Sequence, residues 1–105
     1  STQVFAFSGD TTTNDSFWTR LNQLDRLDLL IVEAAFPNRD IDICRRAGHY
    51  CPSLLGEDIA KLRHQPEIYI SHNKPGDEDE IFAECSSAIS THHINRLSAG
   101  RRFTL

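Results

Sequence analysis

The chain has 105 residues, 39% of them hydrophobic and 25% charged, which suits one small globular unit and excludes disordered and fibrous classes. With 15 acidic against 11 basic side chains the net charge is −4, so the chain carries no broad electrostatic footprint for nucleic acid. No apolar run reaches the length of a membrane span, so no membrane partner is expected; no signal peptide is visible, and three cysteines that read as free thiols fit a reducing compartment, so the expected location is the cytoplasm.

The first predicted element is a strand in "QVFAFSG", where Val4 and Ala6 alternate with Phe5 and Phe7. It runs into a Ser-Gly-Asp-Thr turn with Asp10 at its tip. After the turn-rich "TTTNDS", a helix from about Ser16 carries Phe17, Trp18, Leu21 and Leu24 on one face. "LDLLIVEAAF" is a continuous apolar run with Ile and Val, the pattern of a strand buried on both sides, and Glu33 stands near its end. Asn38 is placed to cap a short helix bearing Ile41, Cys44 and Ala47, with Gly48 as its stop.

A further helix is predicted over Ser53 to Arg63, with Leu55, Ile59 and Leu62 inward. "EIYIS" is the third strand, bounded by Pro66 and running into "SHNKP" with His72 at its tip. "GDEDEIFAECSSAI" is the last helix, which Asp77 and Glu80 would open as a capping box. "GRRFTL" reads as a final short strand. Alternating strands and helices indicate an α/β fold with a partly parallel, mixed sheet of about four strands. Cys44, Cys51 and Cys85 are an odd number without CxxC spacing, which argues against a disulfide framework or a zinc ribbon.

In such folds ligands collect at the carboxyl ends of the strands. Asp10, Glu33, His72 and, at the turn into a helix, His49 all fall there, and carboxylate with imidazole is a ligand set for zinc, manganese or iron. Each residue also has a plainer reading. An Asp after Gly is a turn former, and Glu33 can simply mark a strand's exit. His92 and His93 are adjacent and so point apart, as surface residues. His64 follows a helix and would support its C-terminus. A strand-end "KP" also occurs in phospho-acceptor receiver domains, but "LIVEAAF" has no Asp at the acceptor position.

Taken in order, "FSGDT", "LLIVEAAFPN", "AGHYCPSLLGEDIAKL" and "IYISHNKPG" resemble the second half of metallo-β-lactamase-fold hydrolases. The likeness is nearest to class II cyclic-nucleotide phosphodiesterases, then to tRNase Z-type nucleases, and it covers roughly Phe5 to Ile89. The resemblance implies that residues 1–105 form one unit, the C-terminal half of an αββα sandwich. It further implies two divalent metal ions, zinc by preference, with Asp10 as the carboxylate bridging them and His72 as a histidine ligand. His49 would be a non-ligand histidine near the substrate phosphate, Glu33 its partner, and Lys74 and Asn73 phosphate contacts. The substrate implied is a small cyclic nucleotide, cleaved by a hydroxide shared between the metals.

Ser71, Asn73 and Ala35 depart from the family's pattern and put the substrate's identity in doubt. The main ligand motif H-x-H-x-D-H is absent from the chain. The chain also has no Met, even at position 1, and is expected to begin inside a longer product or after processing. Alone it would be inactive and would remain bound to its upstream half or self-associate through an exposed sheet edge. Two other readings stand beside this one: a metal-free interaction or sensory module of the same fold, and a tRNase Z-like nuclease.

Overall fold

A computed structural model describes residues 4–7, 15–71 and 76–97. The elements are β1 (Phe5–Phe7), α1 (Asp15–Asn22), β2 (Leu29–Glu33), a 3₁₀ turn (Asn38–Asp40), α2 (Ile41–Ala47), α3 (Pro52–Ile59), β3 (Glu67–Ser71), α4 (Glu78–Ala88) and β4 (Ile94–Arg96). The four strands form one sheet in the order β1-β2-β3-β4. Every pairing is parallel, with Phe5 opposite Leu29, Leu29 opposite Glu67 and Ile68 opposite Ile94. The expected mixed sheet is therefore corrected to a parallel one over the described strands. Each parallel connection needs a crossover, and the intervening segments are long enough to supply helices for it. The fourth strand is Ile94–Arg96; the strand expected in "GRRFTL" lies outside the described residues.

The register divides the strands into two faces. Leu30, Val32, Ile68 and Ile70 point one way and join Trp18 and Leu21 of α1, Cys44 of α2, Leu54, Leu55 and Ile59 of α3, and Ile81 and Cys85 of α4 in one core cluster. All four helices thus contribute to the core on one side of the sheet. This is the outcome expected when strand order follows chain order and every crossover has the usual right hand. Phe5, Phe7, Leu29, Ile31 and Tyr69 share the opposite face, where Phe5 and Phe7 are 55% and 58% exposed.

α3 and α4 cross closely at Gly56, where a Cβ would lie 2.7 Å from the Ala88 carbonyl oxygen. α2 ends at Gly48, whose φ of 77° is the left-handed stop that suits glycine. Its N–H donates to the Cys44 carbonyl at 3.0 Å, as does that of His49 at 2.9 Å.

Several local expectations change. The expected tail of the third helix, from Ala60 onward, is a tightened turn in which the Lys61 and Leu62 N–H groups donate to the Asp58 and Ile59 carbonyls. Leu24 lies past the end of α1 and is exposed. Asn38 does not cap the helix that follows it. Its Oδ1 accepts from the Ser53 N–H at 2.8 Å and so caps α3, while its own N–H donates to Glu84 of α4. Asp77 makes no side-chain cap at α4, and Arg39 engages both its carboxylate and that of Glu80.

His92 is buried rather than on the surface, with Nε2 2.7 Å from the His64 carbonyl and Nδ1 2.8 Å from the Thr91 hydroxyl. His64 reaches the carboxyl end of α1 rather than that of the helix preceding it, with Nε2 3.1 Å from the Leu21 carbonyl. None of the described helices is long and apolar enough to cross a membrane.

Candidate functional site

Because all four strands run parallel, their carboxyl ends share one edge of the layer. β2 leaves the sheet through Glu33, which is 8% exposed and opposite Ser71 in the register. The next two residues fix what meets it. The Ala34 N–H donates to the Ser71 carbonyl at 2.9 Å, prolonging the β2–β3 ladder to the last residue of β3. The Ala35 N–H donates to the Tyr50 carbonyl at 2.9 Å, which draws the loop between α2 and α3 onto the exit of β2.

His49 lies on that loop and is half-buried. Its ring meets Phe36 edge-on, with centroids 5.8 Å apart and planes at 65°. The sequence around it explains the path. Gly48 supplies the left-handed turn after α2, and Pro52 occupies the first turn of α3, where a missing N–H costs nothing. The chain is thus turned sharply at 48 and restarted as helix at 52, leaving His49 presented between them.

Of the residues singled out by sequence, Glu33 and His49 are brought to the same end of the sheet. Asp10, His72, Asn73 and Lys74 lie outside the described residues. In the chain Asp10 follows β1, and His72 directly follows Ser71, the last residue of β3. Among the described residues no group of three or more His, Cys, Asp or Glu side chains is placed to hold a metal ion.

Sequence reasoning passed over a polar network directly behind the loop. The Tyr50 hydroxyl donates to Asp58 Oδ2 at 2.6 Å and accepts from Trp18 Nε1 at 3.0 Å. The other carboxylate oxygen of Asp58 accepts from Lys61 Nζ at 2.8 Å, and the same ammonium reaches Asp15 Oδ1 at 2.6 Å. Trp18, Tyr50 and Asp58 are each 1% exposed. Burial, then the bond to Asp58, raises the Tyr50 phenol above its ordinary 10.0, and the two carboxylates raise the Lys61 ammonium above its ordinary 10.5. The available signal was periodicity. Asp58 falls in the inward stripe of α3 with Leu54, Leu55 and Ile59, where a carboxylate needs a partner.

The three thiols cluster under the same loop. Cys44 sits at 0% exposure with its thiol pushed up to about 12, chiefly by burial and then by the neighbouring Cys51. Cys85 is likewise pushed up to about 12 by burial and by Glu84. Such thiols pack as small apolar groups rather than act as nucleophiles.

No protein-family model matches the chain, and no curated protein or solved structure matches it either.

Proposed function

We propose that this chain is the C-terminal half of a metal-dependent phosphodiesterase acting on a cyclic nucleotide. The observation that carries the reading is the pair of bonds at the β2 exit, Ala34 to Ser71 and Ala35 to Tyr50. They gather the Glu33 exit, the His49 loop and the end of β3 at one carboxyl edge, where the resemblance puts the reaction. The exposed sheet edge supports the same reading. On the face away from the helices Leu29 and Tyr69 are buried, while Phe5 and Phe7 of the edge strand β1 are exposed, as an apolar edge that packs against a further part of the protein requires.

In this reading two divalent cations, zinc by preference, would be held by Asp10, His72 and ligands of an upstream half. They would supply an activated water and neutralise charge on the phosphate. The described residues act on the leaving side. As the P–O bond to the sugar breaks, the departing oxygen gains charge. His49 would donate a proton to that oxygen, with Glu33, at the same end of the sheet, as its expected partner. Phe36, edge-on to the ring, limits its rotation and keeps bulk water off one side. Asn73 and Lys74 follow His72 in the chain and would contact the phosphate.

The test is hydrolysis of cyclic AMP by the parent protein, with metal content measured alongside and structured RNA as a second substrate. Wild type is compared with Asp10→Ala, His72→Ala and His49→Ala. The reading expects the first two to lose metal and rate together, and His49→Ala to lose rate, about 10²-fold or more, while keeping metal. A metal-free, inert wild type would overturn it in favour of an interaction module, and cleavage of RNA alone in favour of a nuclease.

A further inference from the structure

We infer that Tyr50 and Asp58 are positioning residues for His49, a role that rests on the reading of His49 given above. The residue after His49 is fixed at both of its ends. Its carbonyl accepts from Ala35 on the extension of β2, and its hydroxyl is held between Trp18 Nε1 and Asp58 Oδ2. On the other side, the His49 N–H is bound to the Cys44 carbonyl at 2.9 Å. With the peptide before the imidazole and the side chain after it both tethered, the backbone that aims His49 has little freedom left.

The chemistry of the tether points the same way. A buried carboxylate and phenol are expensive to desolvate, and an apolar pair of similar volume would join α1 to α3 at no such cost. An apolar pair would also slide. Here each bond has one geometry. Trp18 Nε1 can only donate, so the hydroxyl meets it with a lone pair and keeps its hydrogen for Asp58. Asp58 is in turn fixed by Lys61, which Asp15 holds from the first turn of α1. Helices α1 and α3 thus aim one loop residue through a chain of bonds whose buried part is fully satisfied.

The experiment uses the full chain and does not depend on turnover. Tyr50→Phe keeps the ring and removes the hydroxyl. Leu21→Ala loosens α1 at a core position that makes no bond in the network, so it controls for lost stability. The readouts are the His49 ring resonances and the exchange rates of the Ala35 and His49 amides. Tyr50→Phe is expected to shift or broaden the ring signals and to speed both amides about tenfold beyond the control at matched stability. Ring signals and amides that change no more than in Leu21→Ala would overturn the inference and leave the network as a plain helix tether. If Tyr50→Phe does not fold, Lys61→Met opens the network at its half-exposed outer end and is read the same way. In the parent protein the same variants are expected to lower kcat with KM unchanged. A parent that hydrolyses nothing, beside a displaced His49, would remove the phosphodiesterase reading and keep the positioning one.

Discussion

Gly56 of α3 faces the backbone of Ala88 at the end of α4, and a Cβ at position 56 would stand 2.7 Å from the Ala88 oxygen and 3.1 Å from its carbonyl carbon. Those atoms belong to a helix terminus and cannot rotate away. Alanine is favoured over glycine inside a helix by up to about 1 kcal/mol. Overpacking against fixed backbone costs about 1–3 kcal/mol, so the clash wins. Gly56→Ala is expected to lower the stability by a net amount on the order of 1–2 kcal/mol, read as a lower denaturation midpoint. An unchanged or higher midpoint would mean that the two helices part at no cost.

Asn38 ties the 3₁₀ turn to α3 through the Ser53 N–H and stands beside Glu84 of α4. Removing the amide leaves one of the first N–H groups of α3 without its cap. Asn38→Ala is expected to cost about 1 kcal/mol. Asn38→Asp keeps an acceptor at that place and is expected to recover most of the loss in a thermal melt. Equal losses in both variants would show that the cap contributes nothing.

Asp28 holds the start of the sheet: its Oδ2 accepts from the Val4 N–H at 2.7 Å and from Arg26 Nε at 2.9 Å. The Arg26 guanidinium, and then the Val4 N–H, keep the Asp28 carboxyl below its ordinary 3.8. The unfolded chain therefore takes up the proton first. The stability linked to this group is complete above the ordinary value and is lost as the pH falls through the folded one. Acid titration followed by circular dichroism should show Asp28→Asn to be less stable than wild type at pH 7. The gap should begin to narrow only as the pH falls to the ordinary carboxyl value of about 3.8, and close below the lower folded value, where wild type is itself protonated. A gap that does not depend on pH would remove the assignment.

At the alkaline end the buried thiols act with the opposite sign. Cys44 and Cys85 lie at about 12 in the fold against an ordinary 9.0, so the unfolded chain gives up those protons first. Stability is expected to decline as the pH rises from about 9 toward 12. Lys61, raised by Asp15 and Asp58, declines in the same direction, because its charged pairing is lost at high pH. Near pH 8, iodoacetamide should modify these thiols slowly in the native chain and rapidly in denaturant. Cys44→Ala with Cys85→Ala should flatten the alkaline limb. Fast native labelling would contradict the packing.

β3 was legible to the residue, because Pro66 bounds it and its short apolar run is a local signal. The layered α/β class was legible for the same reason, and so were the inward residues Leu55 and Ile59. What escaped depends on partners far along the chain. Asp77 and Glu80 have the spacing of a capping box, yet Arg39, 38 and 41 residues away, engages both. His92 was read as surface from its neighbour His93, yet its ring is bound to a carbonyl 28 residues away. At the candidate site Glu33 and His49 were legible as strand-end and turn residues. The role of Tyr50 was not, since it needs Trp18 from 32 residues upstream.

A sheet whose order β1-β2-β3-β4 repeats the order of the chain has a consequence for synthesis. β2 finds β1 already made, β3 finds β2, and β4 finds β3, so each strand docks on an edge finished before it leaves the ribosome. Among the described strands none has to be inserted between two others. The layer can therefore grow in step with translation, and once Ser71 has cleared the ribosome the described strands β1, β2 and β3 are all available to pair in their final register.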